Sequence, residues 1–226
     1  MVKPPYEPSP PPDVEPEADA LPEGLLPGEG RPRLGVSACL LGHVVRHDAA
    51  PVRGQLVTDA LSAFVEFVPV CPEVESGMSV PRGAMRLVSS ADGHRLLGID
   101  SKHDYTDQVE DFTAKKIEVL SAARLDGFLL KSGSPSCGLV SARIYAEAAK
   151  WVPEKVGSGL FAARLCERMP DLVVAEEDAL TDEGQRRRFF VRLFLAYRAR
   201  TSLTASPTPA LELLRTALGE PDSAAR

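Results

Sequence analysis

From Leu34 onwards, short apolar runs alternate with longer amphipathic segments. This alternation is typical of a parallel sheet whose strands are joined by crossover helices. We therefore expect an α/β fold, a Rossmann-like, mainly parallel sheet with flanking helices and a C-terminal helical extension. Apolar residues with helical spacing, from Leu61 to Val68, lead into the second strand. The pattern predicts strands at Leu34–Ala38, Phe67–Val70, Gly127–Lys131 and Leu172–Ala175, and helices at about Asp107–Arg124, Gly157–Met169, Gln185–Arg200 and Pro209–Leu218.

The first 33 residues have a different composition. They contain ten of the chain's 20 prolines, mixed with Glu, Asp and Gly. Such a segment cannot bury enough apolar surface to order itself, so we expect a disordered tail with no catalytic role. The predicted division is a tail over 1–33, an α/β domain over 34–180 and a helical extension over 181–226.

The overall charge restricts the classes of partner. A net charge of −6 for 226 residues argues against a broad nucleic-acid surface, so tRNA is an unexpected substrate. The arginines of Arg186–Arg188 lie among apolar residues and indicate a solvated helix face. No apolar stretch approaches the roughly 20 residues that span a bilayer, and no signal peptide is apparent, so the expected location is cytoplasmic.

Three of the four cysteines follow predicted strands. Cys39 comes after the first, Cys71 after the second, and Cys137 lies in the loop after the third. Because parallel strands end at the same edge of a sheet, we expect the three thiols to form one site. Neighbouring thiolates repel one another unless a cation is present, so this convergence indicates a metal.

The spacing does not identify the metal. Structural zinc usually has four protein ligands, and the fourth cysteine, Cys166, lies in a predicted helix, where it is expected to be a small buried hydrophobe. Three thiolates and an open position suit either catalytic zinc or a [4Fe-4S] cluster with one iron free of protein ligands. A sensor module that binds zinc or a cluster without catalysis fits the same residues.

Three motifs resemble signatures of one family. They are Val36-Ser37-Ala38-Cys39-Leu40-Leu41-Gly42 with Val45-Arg46, Cys71-Pro72-Glu73 with Pro81-Arg82, and Leu130-Lys131-Ser132 with Ser134-Pro135-Ser136-Cys137-Gly138. In this order they are similar to those of the thiouracil desulfidase family, also called DUF523, over about residues 34–177. The resemblance implies a [4Fe-4S] cluster held by Cys39, Cys71 and Cys137, with Glu73 and Ser134 as catalytic carboxylate and hydroxyl.

The resemblance also implies an activity. The expected reaction is a non-redox conversion of a thiolated nucleobase, or small thionucleoside, to the oxo base with release of hydrogen sulfide. The alternative enzymatic hypothesis is a tRNA thiouridine desulfidase. The short C-terminal extension argues against it. The expected substrate contacts are Ser37, Asp48, Arg82, Ser132 and Ser136.

Simpler roles remain open for several of these residues. Glu73 could cap a helix after the second strand, and the serines could form turns around Pro135. Asp48 and Arg82 could form structural ion pairs. Among the four histidines, which are expected at the surface, His47 could border the crevice. The sequence departs from the family pattern at His47–Ala50 and after Tyr145.

Overall fold

The computed structural model describes residues 31–50, 61–62, 64–91, 93–147 and 151–201. The predicted tail therefore lies outside the described residues except for its last three, and Arg33 already belongs to the first strand. The predicted helix at Pro209–Leu218 also lies outside them, as do residues 51–60, which precede Leu61.

A parallel sheet of four strands forms the centre of the fold. Its strands are β1 (Arg33–Ser37), β2 (Glu66–Val70), β5 (Gly127–Leu130) and β8 (Val173–Glu176), in the order β2-β1-β5-β8. All three pairings are parallel. The four strands predicted from short apolar runs are confirmed. The two inner strands, β1 and β5, are almost fully buried, as is typical of parallel strands with helices on both faces, whereas the edge strands β2 and β8 are partly half-buried.

Helices cover both faces of this sheet. Alternate residues of a strand point to opposite faces. Leu129 packs into a cluster with Phe190 and Phe194 of α4 (Glu183–Thr201). Its neighbour Phe128 packs against α2 (Thr106–Ala122) and α3 (Leu160–Arg168). The expected α/β architecture is therefore confirmed, with α4 as a full layer of the core.

A second sheet was not predicted. It contains β3 (Met85–Ser90), β4 (Gly93–Gly98), β6 (Ala142–Tyr145) and β7 (Lys155–Gly157), in the order β4-β3-β6-β7. Strands β3 and β6 are parallel, whereas the two outer pairings are antiparallel. Leu87, Leu96 and Ile144 of this sheet share a core cluster with Val109 of α2.

The predicted start of the helix at Gly157 is wrong. Gly157 pairs with Ala142 in the second sheet, and a Cβ atom there would lie 2.8 Å from Ile144 Cδ1. The helix begins at Leu160 instead, after Gly159 as N-cap. The other predicted helices within the described residues are confirmed, as α2 and α4. None of the described helices is long and apolar enough to cross a membrane.

Candidate functional site

A cavity of about 320 Å³ opens at the carboxyl ends of three adjacent strands. Its walls come from the segments that follow β1, β2 and β5, together with the segment that leads into β3. The ends of parallel strands are the usual ligand-binding edge of an α/β sheet. The lining residues lie within 37–47, 70–73, 82–85 and 131–137.

All three predicted cysteines line this cavity. Cys39 lies in the 3₁₀ turn Ala38–Leu40 that follows β1, and Cys71 is the N-cap of the short helix α1 (Pro72–Glu75) after β2. Cys137 lies in the loop after β5 and is 6% exposed. Since the sheet order is β2-β1-β5, residues distant in sequence meet on neighbouring strands. The sequence-based placement of the cysteines at one edge is confirmed.

Burial dominates the electrostatics of the thiols. It raises the pKa of Cys39 to about 12 and that of Cys71 to about 11, and the pKa of Cys137 well above its usual value. The charges of Cys39 and Cys71 raise the pKa of Cys137 further. Three thiols in this environment stay protonated unless a bound cation replaces their protons.

A single metal ion and an iron–sulfur cluster need different arrangements of their ligands. Among the described residues, no three His, Cys, Asp or Glu side chains lie close enough together to hold a single metal ion. The thiols instead line the walls of one cavity. An iron–sulfur cluster is held by cysteine thiolates distributed around several iron atoms, so its ligands surround a space instead of meeting at a point. The donor set fits a cluster with three cysteine ligands.

Glu73 lies in a nearly buried polar network. Its Oε2 accepts hydrogen bonds from the Arg82 guanidinium, with 3.0 Å to Nε, and its Oε1 accepts one from Ser136 Oγ at 2.9 Å. The side chains of Arg82 and Glu73 are 8% and 13% exposed. The capping role left open for Glu73 belongs to Glu75, whose carboxylate accepts the Cys71 N–H at 2.8 Å.

The serines of the third motif differ in their surroundings. Ser134 lines the cavity, and its Oγ accepts the N–H groups of Ser136 and Cys137 at 3.2 and 3.0 Å. Ser134 therefore stabilises a turn around Pro135, which was the simpler role left open for the serines. These two hydrogen bonds do not use its hydroxyl proton. Ser136 is fully buried and contacts Glu73 through its hydroxyl.

A second polar network occupies the other wall of the cavity. Lys131 and Ser132 both line the cavity, and both form hydrogen bonds with Glu177. The distance between Ser132 Oγ and Glu177 Oε1 is 3.0 Å. Ser37, at the end of β1, accepts the Lys131 N–H at 3.0 Å and forms a hydrogen bond with Cys137. Sequence reasoning missed Lys131 and Glu177 as site residues, although Lys131 lies within a quoted motif.

The remaining predicted residues lie at the rim or elsewhere. Asp48 is exposed and forms an ion pair with Arg46, 2.9 Å from Nη2 to Oδ2, and it is Arg46 and His47 that line the cavity. The expectation that His47 borders the crevice is confirmed. Cys166 lies on α3, outside the cavity lining, and is half-buried, whereas a small buried hydrophobe was expected.

Comparison with known proteins agrees with this geometry. The sequence profile of the 2-thiouracil desulfurase family matches residues 34–177, which contain every cavity-lining residue. The chain belongs to the 2-thiouracil desulfurase family. Comparison with curated proteins gives no significant match.

A solved structure supports the family assignment. The chain is similar to the structure described as the [4Fe-4S]-dependent thiouracil desulfidase TudS (DUF523), with 32% sequence identity and a TM-score of 0.53. The match covers 67% of this chain and 94% of that chain. Helix α4 follows the last residue that the 2-thiouracil desulfurase profile matches.

Proposed function

We propose that this chain is a [4Fe-4S]-dependent desulfidase, which converts a thiolated nucleobase of the thiouracil type and water to the oxo base and hydrogen sulfide. The observation that carries the proposal is the cavity lined by Cys39, Cys71 and Cys137, with Glu73 on the same wall as Cys71. Membership of the desulfurase family and similarity to TudS support it.

The three cysteines are the proposed ligands of the cluster. Among the described residues that line the cavity there is no fourth cysteine, so one iron would stay free of a cysteine ligand. When bound, such a cluster supplies a soft Lewis acid for a thiocarbonyl sulfur. The chain places small residues next to the thiols, Ser37 and Ala38 before Cys39, which leaves room for a bulky group.

Glu73 is the proposed general base. A base must hold its carboxylate in one orientation near the water that it deprotonates. Two donors of Arg82 fix Oε2, and the buried Ser136 hydroxyl approaches Oε1. The Arg82 guanidinium compensates the charge of the Glu73 side chain in a poorly solvated wall, and this side chain is the proposed acceptor of a proton from the attacking water.

Ser134 is the proposed donor to the substrate. Its oxygen already accepts two backbone N–H groups, and a hydroxyl has two lone pairs and one proton. The proton is therefore the group left for a ligand in the cavity that Ser134 lines. A hydrogen bond from Ser134 to a ring heteroatom would orient the base and stabilise charge that develops there.

The other predicted contacts divide into three groups. Ser37, Ser132 and Arg82 line the cavity and are proposed to touch the substrate. Ser136 is proposed to orient Glu73 through its hydrogen bond, and Ser37 is proposed to orient Cys137 in the same way. Asp48 is proposed to fix Arg46 at the rim.

The size of the cavity favours a small substrate. Ligand pockets for small molecules occupy about 300–1,000 Å³, and this one measures about 320 Å³ before a cluster is added. A free base or nucleoside is therefore the proposed substrate, and thiolated tRNA is the alternative for the test.

We also propose a cytoplasmic location, where thiols stay reduced.

The test is an anaerobic assay of the full chain. After anaerobic reconstitution with iron and sulfide, we expect about four irons per chain, broad visible absorbance and conversion of 4-thiouracil or 2-thiouracil to uracil with stoichiometric sulfide. Glu73→Gln should keep the absorbance and lose at least about 100-fold in kcat, the usual contribution of a general base.

One matched variant and one alternative substrate complete the test. Glu75→Gln, on the same short helix but directed to the Cys71 N–H and Lys116, should retain most of the activity. Thiolated tRNA assayed in parallel should give little sulfide. Full turnover by Glu73→Gln would exclude it as the base, and a colourless protein that binds zinc without turnover would refute the proposed function.

A further inference from the structure

The loop that carries Cys137 is fixed on one side by helix α3. The carbonyl of Pro135 accepts the Leu160 N–H at 3.2 Å, and the carbonyl of Ser136 accepts the Phe161 and Ala162 N–H groups at 3.0 and 3.2 Å. Amide groups in the first turn of a helix have no partner within the helix. The loop before Cys137 therefore satisfies the start of α3 and is held by it.

The same loop is fixed on its other side by Glu176, the last residue of β8. Oε1 of Glu176 accepts the N–H groups of Leu139, Val140 and Ser141 at 2.6, 3.2 and 3.2 Å, and also the Ser141 hydroxyl. Hydrogen bonds to an ionised acceptor are stronger than those between neutral groups. One carboxylate oxygen thus binds the backbone of residues 139–141, directly after the Cys137-Gly138 pair.

Glu176 is a buried residue. It is 8% exposed, and no ion pair between the described residues includes it. A buried charge is costly unless hydrogen bonds compensate it. The compensating donors all belong to the loop, so the carboxylate and the loop conformation depend on each other.

We propose that Glu176 is a positioning residue for Cys137, which fixes the third thiol in the cavity wall before any cluster binds. The importance of Glu176 for catalysis rests on the proposed function, in which Cys137 is a cluster ligand. Its role in fixing the loop of Cys137 does not rest on that function, because the hydrogen bonds join groups of the polypeptide alone. Glu176 is not among the residues that line the cavity, so it is assigned a positioning role and not a catalytic one.

The experiment measures alkylation of each cysteine in the full-length chain without a cluster. Iodoacetamide is added anaerobically, and the modified fraction of every cysteine is followed by peptide mass spectrometry. In Glu176→Ala, Cys137 should react about tenfold faster than in the wild type or more, because the loop opens more often. Cys71, whose segment does not contact Glu176, should keep its wild-type rate.

Two further variants make the result specific. Glu176→Gln retains an oxygen at the same place, so it should restore part of the protection of Cys137. Glu167→Gln, an exposed glutamate on α3 that pairs with Arg164, should leave the rates of Cys39, Cys71 and Cys137 unchanged. After reconstitution, Glu176→Ala should lose iron to a chelator several-fold faster than Glu167→Gln does.

The outcomes are decisive for the positioning role. Unchanged Cys137 reactivity in both Glu176 variants would overturn it, and so would equal acceleration at Cys71 and Cys137, which would indicate general unfolding. If Glu176→Ala does not fold, the Glu176→Gln rate decides alone. Protection of Cys137 that is lost in Glu176→Ala, in a protein that never binds iron, would uphold the positioning role and refute only the proposed function.

Discussion

Gly35, in the middle of β1, shows how one residue sets the packing between strands. A Cβ atom at this position would lie 2.2 Å from Phe128 Cδ2 and 3.0 Å from Leu125 Cδ1. Phe128 is fully buried and stacks against Phe161 of α3, so it has no room to move aside. The glycine is therefore required by the close approach of an aromatic ring.

We expect Gly35→Ala to lower the free energy of unfolding by about 1–3 kcal/mol, the usual cost of overpacking a core. Urea denaturation of the cluster-free protein measures this change. Gly83→Ala is the matched control, because a Cβ atom at Gly83 meets nothing within 4 Å. Equal stability of the two variants would contradict the packing argument.

At the residue scale, the sequence predicted which groups meet but not how they bond. The positions of Cys39, Cys71 and Cys137 after strands were enough to place them at one cavity. The pairing of Glu73 with Arg82 depends on a chain segment that returns from outside the parallel sheet, and no local pattern encodes that path. Glu176 lies one residue beyond the predicted strand Leu172–Ala175, and no pattern in the sequence marked it as a site residue.

At the scale of elements, the C-terminal end of α4 is attached to the start of β5. Arg200 Nε and Nη2 donate to Asp126 Oδ1 and Oδ2 at 2.7 and 2.8 Å, and Asp126 Oδ2 also accepts the Arg33 N–H at 2.7 Å. The side chain of Asp126 is 1% exposed. One buried carboxylate thus connects α4 with β1.

We expect Arg200→Gln to destabilise the protein by roughly 1.5–3 kcal/mol, the value of hydrogen bonds to a charged group. Thermal unfolding of the cluster-free chain gives the measurement. Arg192→Gln, at an exposed position of the same helix, serves as the control and should change the stability by less than about 0.5 kcal/mol. A larger effect at Arg192 than at Arg200 would show that the attachment is unimportant.

The elements that sequence analysis missed share a physical property. Exposed residues interrupt the strands of the second sheet, so these strands lack the continuous apolar runs that revealed the parallel strands. The sequence nevertheless contains a hairpin signal, because Asp92-Gly93 follows the run that becomes β3, and β4 begins at Gly93. Three-residue β7 had no such signal, and its Gly157 was assigned to a helix.

For the whole molecule, α4 supplies one layer of the core although it lies beyond the family match. Phe189, Phe190, Val191, Leu193 and Phe194 are each at most 4% exposed. They cover Leu34, Val36 and Leu129 of the central sheet. Burial of each such side chain contributes about 1.5–3 kcal/mol before the entropy cost of ordering it, so the loss of all five would remove an amount comparable with the net stability of a whole domain, about 5–15 kcal/mol.

We expect a chain that ends at Asp182 to lose cooperative unfolding and to aggregate, because it leaves one face of the sheet uncovered. A chain that ends at Thr201 retains every described residue and is the control. Circular dichroism and size-exclusion chromatography distinguish the two results. A soluble, cooperatively unfolding chain without α4 would show that the helix is dispensable.

The separation of the three cysteines has a consequence for biosynthesis. Cys39 and Cys71 lie at the ends of β1 and β2, which pair directly, whereas Cys137 follows 66 residues after Cys71. Those residues include α2 and the β3–β4 hairpin, and non-local pairings of this kind form late. Iron delivered to a nascent chain would meet only two of the three proposed ligands, so under the proposed function the cluster can be completed only after Cys137 has left the ribosome.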